Sequence, residues 1–298
     1  MGAGRWGRNY IKTIAALDGV RLARLASRNS ASRELVGPEC EISADWRRLV
    51  DAGDLDGIII ATPPSLHAQM TLAAVAAGIP VLVEKPLTLG LGEAIALRDK
   101  ARARDGLVMV GHTHLFHPAF EELKLQAPRL GAIRAIESEA GAFGPYRADV
   151  PVLWDWGPHD VAMCLELLRS SPREVHASRE AHEPVGGAEA ETVRIELAFD
   201  GGLQARIRIS NMIEKTRRFA ARCDAGTLVY DDLAQDKLVL VRDGKPMPIE
   251  VSSELPLLRV VKAFAAAISA GKDHTASLEL GVEVVAVLER CAGTLAAS

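Results

Sequence analysis

The sequence predicts an α/β protein: a doubly wound parallel sheet, followed by an α+β domain with an open, mostly antiparallel sheet. Short apolar strands alternate with helical segments through the first half of the chain. The second half instead carries closely spaced β segments after a single long helix. Strand–helix–strand alternation is typical of parallel sheets, whereas consecutive strands joined by short turns are typical of antiparallel ones.

The first half supplies the expected parallel strands. Their apolar runs are continuous, which indicates strands that are covered on both faces. The predicted strands are 20–26, 57–61, 80–84 and 107–111, and the predicted helices are 5–17, 66–77 and 91–104. Right-handed crossovers would join these segments into one sheet.

The second half of the chain has a different spacing of apolar residues. We expect helices near 117–126 and over 155–169, a strand within 131–143, and β segments at 191–199, 203–210, 217–223, 226–230 and 237–242. Asp200-Gly201-Gly202 predicts a hairpin, because glycine reaches positive φ at little cost. Two amphipathic helices close the chain, so the expected boundaries are 1–114, 115–256 and 257–298.

A G-x-G-x-x-G motif lies at the start of the chain, with Arg5 and Trp6 between its last two glycines. Gly2, Gly4 and Gly7 permit a tight turn, a close approach of pyrophosphate to the backbone, and close helix packing. Residues 1–114 are therefore expected to be a dinucleotide-binding Rossmann domain. The central strand that should precede the loop is reduced to Met1, so this first strand is expected to be truncated, through a misassigned start or an upstream segment.

Bulk composition narrows the class of protein. The 298 residues carry a formal net charge of −4, without a basic tract, which argues against a nucleic-acid or membrane partner. The four cysteines are widely spaced and form no C-x-x-C pair, so we expect neither a zinc site nor a disulfide scaffold. No apolar run reaches the length of a membrane span and no signal peptide is evident, so the cytoplasm is the expected location.

Ser27-Arg28-Asn29 follows the predicted strand 20–26, where NAD-binding proteins usually carry an acidic residue. A hydroxyl beside a guanidinium suits a 2′-phosphate. NADP is therefore favoured over NAD, with Ser27 and Arg28 as its ligands. The alternative is a solvated turn whose Arg28 only stacks near the adenine.

Two further segments lie at the carboxyl edge of the predicted sheet, where ligands bind. One is Ala61-Thr62-Pro63-Pro64, with His67 opening the next helix, and we expect Ala61, Thr62, Pro63 and His67 to line the cofactor site. The other is Glu84-Lys85-Pro86. Lys85 would polarise a hydroxyl or carbonyl oxygen, although a lysine at a strand end is more often a solvated charge.

Trp154-Asp155-Trp156-Gly157-Pro158-His159-Asp160 opens the predicted helix 155–169. Asp155 and His159 are four residues apart and would share one helix face. Oxidation of a carbinol requires removal of the hydroxyl proton, which a histidine does well near neutral pH. By itself, such a pair is more often a surface pair or a helix cap.

Together, GAGRWG, ATPPSLH, the EKP triplet and the D-x-x-x-H core of WDWGPHD resemble the glucose–fructose oxidoreductase, inositol dehydrogenase and rhizopine-catabolism (Gfo/Idh/MocA) family. The resemblance implies that Lys85, Asp155 and His159 are catalytic, with His159 as the proton acceptor. It implies that Glu84 and Lys85 lie at the cofactor, and that the closing helices pack on the nucleotide domain or the interface. It also implies a homodimer or homotetramer formed through the open sheet.

The chain departs from many relatives after the strand 107–111, where His112, His114 and His117 replace an arginine-containing stretch. Their spacing, without clustered carboxylates, favours substrate contacts or packing over a metal site. We expect His112, His114 and Trp154 to bind substrate beside the three catalytic residues. Phe116, Tyr146 and Trp156 are further candidates for stacking on a sugar.

The predicted function is therefore an NAD(P)-dependent oxidoreductase acting on the CH–OH or keto carbon of a sugar, nucleotide sugar or cyclitol. A different class remains open, namely a catalytically silent sensor or regulator that binds the cofactor or a metabolite. Reduction of an imine or an unsaturated ring is a third possibility.

Overall fold

The computed structural model describes residues 1–271 and 275–297. These residues form two compact units. The first unit comprises Met1–Thr113 and Leu255–Val282, and the second comprises His114–Glu254 and the chain from Glu283 onward.

Parallel strands and helices alternate along Met1–Thr113. The elements are α1 (Arg5–Ala15), β1 (Arg24–Ala26), β2 (Glu41–Ser43), α2 (Arg47–Val50), β3 (Ile58–Ile60), α3 (His67–Ala76), β4 (Val81–Glu84), α4 (Leu91–Arg102) and β5 (Val108–Gly111). All residues of β4 and β5 are buried, which is what their uninterrupted apolar runs predict. The predicted parallel α/β class is confirmed.

The parallel strands form two groups, β1–β2 and β3–β4–β5, rather than the single sheet that we expected. The backbone of Met1 and Gly2 lies between the groups. The N–H of Gly2 donates to the carbonyl of Ala26 at 3.0 Å, and the carbonyl of Met1 accepts from the N–H of Ala61 at 2.9 Å. The amino group of Met1 also donates to the carbonyl of Ile59, so these two residues bridge the groups without forming a strand.

The second unit is built on one large sheet. Its elements are α5 (Pro118–Gln126), β6 (Ile133–Gly141), α6 (Val152–Asp155), α7 (Gly157–Leu168), β7 (Glu174–Val185), β8 (Ala188–Ala198), β9 (Gln204–Ser210), β10 (Thr216–Cys223), β11 (Gly226–Asp231), β12 (Leu238–Arg242) and β13 (Lys245–Pro248). The strand order is β13-β12-β11-β10-β6-β9-β8-β7, and only the β6–β9 pair is parallel. The expected mostly antiparallel sheet is confirmed.

The predicted hairpin at Asp200-Gly201-Gly202 joins β8 to β9, and Gly201 and Gly202 have φ of 73° and 79°. Edge strand β7 was not predicted. Most of its residues are exposed and polar, so its sequence lacks the apolar alternation that identifies a half-buried strand.

The single helix predicted over 155–169 is wrong. Asp155 is the last residue of α6, and His159 lies in the first turn of the separate helix α7, which begins at Gly157. The break falls at Trp156, just before Gly157-Pro158. Proline is favoured in the first turn of a helix, so the sequence WGPH begins a helix rather than continuing one.

Two helices close the chain, α8 (Pro256–Ala270) and α9 (Thr275–Ala297). Within the first unit, α8 packs on α1, and the Ser277 hydroxyl accepts from the N–H of Val110 at 2.9 Å. Within the second unit, the Thr294 hydroxyl near the end of α9 accepts from the N–H of Ala177 at 2.9 Å. Of the predicted closing segment 257–298, residues 272–274 and 298 lie outside the described residues. In the described part of the chain, the helices fall short of the length and apolar character that crossing a membrane requires.

Candidate active site

Each glycine of the N-terminal loop meets a different steric requirement. Gly2 has a φ of +91°, and a Cβ there would lie 2.6 Å from the carbonyl oxygen of Ala61. A Cβ on Gly7 would collide with the carbonyl oxygen of Gly2. A Cβ on Gly4 would meet nothing within 4 Å. Gly2 and Gly7 therefore hold the turn against the protein, whereas the space beside Gly4 is open.

The open space lies where helix α1 begins. Gly4 is the residue before the helix and gives it no side-chain cap, so the first-turn N–H groups are without a side-chain acceptor there. A helix N-terminus with exposed N–H groups favours an anion such as a pyrophosphate. Arg5 and Trp6, both exposed, are the first residues of α1. The loop thus fits the dinucleotide that its sequence predicts.

Ser27 and Arg28 follow β1 directly, one residue after the carbonyl of Ala26 that binds Gly2. The Ser27 hydroxyl lies 2.7 Å from that of Ser32 and accepts from the N–H of Asn29. The side chain of Arg28 is exposed. Main-chain bonding therefore places both predicted 2′-phosphate ligands next to the glycine loop.

Residues Ala61–Pro63 follow β3, and His67 connects them to the next loop. Its Nε2 lies 3.0 Å from the carbonyl oxygen of Thr62, and its Nδ1 lies 2.7 Å from that of Pro86. The ring is fully buried, and burial lowers its pKa. A neutral imidazole donates only one N–H, so it serves one carbonyl at a time. His67 therefore connects the segment after β3 to the segment after β4.

Glu84 connects the glycine-loop helix to the strand that carries Lys85. Its Oε1 accepts from the Tyr10 hydroxyl at 2.6 Å, and its Oε2 accepts from the N–H of Lys85 at 3.2 Å. Burial raises the pKa of Glu84, an effect that these hydrogen bonds and the Lys85 charge oppose. Glu84 therefore connects Tyr10 of α1 to the backbone of Lys85.

Lys85 is half-buried at the end of β4, and the peptide bond to Pro86 is cis. His112 follows β5, which pairs with β4 through Glu84 and Gly111. Burial, and after it the charge of Lys85, lowers the pKa of His112 to about 3. Neither ring nitrogen of His112 has a hydrogen-bond partner among the described residues. Lys85 thus has a neutral imidazole near it.

In the second unit, Asp155 ends α6 and pairs with an arginine that the sequence did not single out. Arg147 Nη1 lies 3.4 Å from Asp155 Oδ1, and the same guanidinium binds Asp149 at 2.8 Å. Trp154, before Asp155, is 9% exposed. Asp155 is therefore a half-buried carboxylate next to a cation.

His159 lies against His114, the second of the predicted substrate histidines. Their rings meet edge-on, with centroids 4.8 Å apart and planes at 87°. His114 Nδ1 lies 3.0 Å from the hydroxyl of Tyr230. The structure thus brings His114 and His159 together, although 44 residues separate them in the sequence.

The residue after His159 anchors the first turn of α7. Asp160 is fully buried; its Oδ1 accepts from the Ser138 hydroxyl at 2.6 Å and its Oδ2 from Arg217 at 2.9 Å. The Arg217 guanidinium lies 5.5 Å from the ring centre of Trp156. Breaking a buried pair of this kind costs several kcal/mol, because it leaves the other charge unpaired. The backbone at His159 is therefore firmly held.

The sequence did not single out Tyr10, Arg217 and Tyr230, because each acts through a partner that is distant in sequence. It also did not single out Arg147, which pairs with the nearby Asp149 and Asp155. Asp160 gave a weak signal, since a carboxylate on a helix of otherwise apolar residues is expected to have a buried partner. Across residues 1–271 and 275–297, no three His, Cys, Asp or Glu side chains are grouped to hold a metal ion.

Two family models match the chain. The oxidoreductase family with an NAD-binding Rossmann fold (GFO/IDH/MocA) matches residues 1–112, and the GFO/IDH/MocA C-terminal domain matches residues 124–229.

Relatives and solved structures agree with these models. UDP-N-acetylglucosamine 3-dehydrogenase from Acidithiobacillus ferrooxidans is 33% identical over 180 residues, which are 59% of this chain and 56% of that protein. A crystal structure of that enzyme is also similar to this chain, with a TM-score of 0.86 at 25% identity. The match covers 99% of this chain and 96% of the chain in that structure. Inositol 2-dehydrogenase 4 from Saccharopolyspora erythraea is 28% identical over 240 residues, 76% of this chain and 71% of that protein.

A crystal structure from Magnetospirillum magnetotacticum MS-1, provisionally described as an oxidoreductase, is 49% identical. It covers 97% of both chains with a TM-score of 0.92. The fold of this chain is thus similar to that of solved proteins described as oxidoreductases.

Proposed function

Since the chain belongs to the GFO/IDH/MocA family of NAD-binding oxidoreductases, we propose that it is a nicotinamide-dependent dehydrogenase acting on a CH–OH or keto carbon. The proposed substrate is a sugar, nucleotide sugar or cyclitol. Relatives named for UDP-N-acetylglucosamine and inositol support this class. The observation that carries the proposal is the glycine loop, whose open space at Gly4 faces no protein atom.

The proposed roles follow the chemistry of each side chain. When bound, the nicotinamide cofactor accepts the hydride from the carbinol carbon or returns it to the keto carbon. His159 takes the hydroxyl proton in oxidation and returns it in reduction. The Lys85 ammonium holds the substrate oxygen and stabilises the charge that develops on it. Asp155, paired with Arg147, orients substrate hydroxyls or the imidazole of His159.

His112, His114 and Trp154 are proposed to contribute to substrate binding. His112 supports this best, because a buried imidazole without a protein partner leaves hydrogen-bonding capacity for a hydroxyl. Its low pKa keeps it uncharged at neutral pH. A neutral imidazole suits a neutral sugar better than a second cation beside Lys85 would.

NADP is proposed as the preferred cofactor. Arg28 is exposed at the end of β1, beside the glycine loop, and the neighbouring Ser27 and Asn29 bring no carboxylate that would repel a 2′-phosphate. NAD remains the alternative.

We further propose that copies of the chain associate through the open face of the large sheet. The charges of its outward side chains alternate in sign, as where Arg208 forms ion pairs with Glu139 and Glu180. Such a surface suits a polar interface. Light scattering on the purified protein tests this, and a monomer at micromolar concentration would contradict it.

A cytoplasmic location is proposed from the cysteines. All four are free thiols and buried, and reducing compartments preserve thiols. Fractionation of source cells tests this, and recovery outside the cytoplasm would contradict it.

Turnover of a panel of sugars, nucleotide sugars and cyclitols with NADP(H) and NAD(H) tests the function. Lys85→Ala should lower kcat by roughly a hundredfold or more, with little change in cofactor affinity, because it removes charge stabilisation at the reacting oxygen. Lys100→Ala, which removes an exposed lysine from α4 of the same unit, is the matched control and should behave as wild type. Cofactor binding without turnover of any panel member would favour the silent sensor.

A further inference from the structure

The buried hydroxyl of Tyr230 has no part in the roles proposed above, but it contacts His114, one of the residues proposed to bind substrate. His114 meets His159 edge-on at 4.8 Å, and its Nδ1 is 3.0 Å from the hydroxyl of Tyr230. His114 lies in the turn before α5, His159 in the first turn of α7, and Tyr230 in β11. Three separate elements of the second unit thus place their side chains in one row.

We propose that His114, held by the Tyr230 hydroxyl, is a positioning residue that orients the imidazole of His159. This inference rests on the proposed function, in which His159 takes the substrate proton. Tyr230 acts through His114, and His114 acts through its ring contact with His159.

Tyr230 is suited to anchor another side chain because it is itself immobile. It is fully buried, and β11 pairs on both sides, with β10 and β12. Burial raises the pKa of its hydroxyl well above the usual range, so the phenol keeps its proton. It can therefore donate to Nδ1 of a neutral His114, which then carries its own proton on Nε2.

A third histidine holds the ring of Tyr230. The rings of His117 and Tyr230 lie 4.7 Å apart. His117 Nδ1 accepts from the N–H of Ala119 and caps α5, so its proton is on Nε2, which lies 3.1 Å from Asp232 Oδ1. That hydrogen bond lowers the pKa of Asp232 to about 2, and Asp232 stays an anion at working pH.

Charged groups surround the row formed by His159, His114 and Tyr230. Besides His117 on the turn before α5 and His159 on α7, the groups whose charge acts on Tyr230 are Asp231, Asp232, Arg217 and Asp160. Arg217 and Asp160 neutralise each other in a buried pair, and Asp232 is bonded to His117. The hydroxyl of Tyr230 lies 3.0 Å from His114 Nδ1, and the charge of Asp232 also interacts with His114.

Orientation matters because a proton moves only along a well-aligned hydrogen bond. The Asp160–Arg217 pair fixes the backbone of α7 beside His159, but it does not act on the side-chain bonds that set the ring's orientation. The edge of His114 restricts that rotation. Helix anchoring and ring contact together would hold the imidazole in the geometry that proton transfer needs.

The test removes the same bond from either end. Tyr230→Phe deletes one oxygen, and His114→Phe keeps a flat ring but deletes the nitrogen. We expect each to lower kcat about fivefold to tenfold, as for one hydrogen bond, with cofactor affinity unchanged. The double variant should lose no more than either single variant, because both changes break one bond. His176→Asn, which changes an exposed histidine on β7 of the same unit, is the matched control and should retain wild-type kcat.

A second measurement does not depend on turnover. In histidine-selective NMR of the cofactor-free protein, the titration midpoint of His159 should shift in Tyr230→Phe and in His114→Phe, and stay in place in His176→Asn. A shifted midpoint in a protein without dehydrogenase activity would sink the proposed function and leave the positioning intact. Conversely, Tyr230→Phe and His114→Phe could both leave kcat and the His159 titration unchanged while Lys85→Ala is inactive. That result would overturn the positioning role of His114 but not the proposed function. Additive losses in the double variant would overturn it too.

Discussion

The side chains nearest Lys85 show how individual residues set the chemistry of a site. The histidines at positions 67 and 112 are buried, and the charge of Lys85 adds to burial in lowering the pKa of each. Both are therefore neutral at working pH. Since neither competes with Lys85 as a cation, the ammonium is the group left to attract a developing negative charge.

Arg28 carries the proposed preference for NADP. Removing its guanidinium should weaken NADPH binding by roughly tenfold to a hundredfold, because one charge-assisted hydrogen-bonding group is lost. NADH, which has no 2′-phosphate, should change by less than about threefold. Fluorescence titration of Arg28→Ala with each cofactor measures both constants.

Arg8→Ala is the control for charge alone. Arg8 is exposed on α1, and its replacement by alanine removes the same formal charge from the same unit as Arg28→Ala does. We expect it to affect both cofactors equally and weakly. Equal weakening of NADPH and NADH in Arg28→Ala would contradict the 2′-phosphate assignment.

Among the secondary-structure elements, the connection between α1 and β4 is the most informative. Tyr10 lies on the buried face of α1, and its hydroxyl reaches Glu84 at the end of β4. One element carries the phosphate loop and the other leads to Lys85. The two predicted motifs are thus connected by a hydrogen bond between residues 74 positions apart.

Tyr10→Phe should therefore lower the free energy of unfolding by about 1–3 kcal/mol, because it removes a hydrogen bond to a buried carboxyl group. Urea unfolding of the variant measures the change. Tyr146→Phe deletes the same hydroxyl from a 38% exposed tyrosine and should have almost no effect. Similar losses in both variants would contradict a special role for the Tyr10–Glu84 bond.

The stability of the whole molecule should depend on pH through His112. Its pKa is about 3 when folded, against an ordinary value of 6.5, so between these values the unfolded chain binds the additional proton. Acid therefore favours unfolding below about pH 6.5, and near pH 5 the cost from this one group is about 2 kcal/mol. His112→Phe removes that group, and the drop in stability from about pH 8 to pH 5 should shrink by this amount.

Calorimetry at the two pH values measures the difference. His67 also has a lowered pKa, so some acid sensitivity should remain in the variant. His176→Phe changes an exposed histidine and should leave the acid-induced loss as in wild type. Equal acid sensitivity of wild type and His112→Phe would mean that His112 is protonated in the folded state.

Local patterns were enough to predict the class of the fold and most of its elements. The continuous apolar runs of β4 and β5 and the hairpin at Gly201-Gly202 are read from neighbouring residues, because strand burial and positive φ leave direct marks on composition. The helix 155–169 was predicted wrongly, and the polar strand β7 was not predicted. Their extent depends on a helix start at Gly157 and on pairing with β8, which neighbouring residues describe poorly.

The motifs that carry the candidate chemistry, the glycine loop with Lys85, Asp155 and His159, were already visible in the sequence. Such motifs need particular residue types at short spacing, so a single chain displays them. Two contacts behind them were not visible: the Tyr10 hydroxyl on Glu84 and the Tyr230 hydroxyl on His114. Each is a contact between residues far apart in sequence, and hydrogen bonds of this kind depend on distance in space, which chain folding creates and local spacing does not encode.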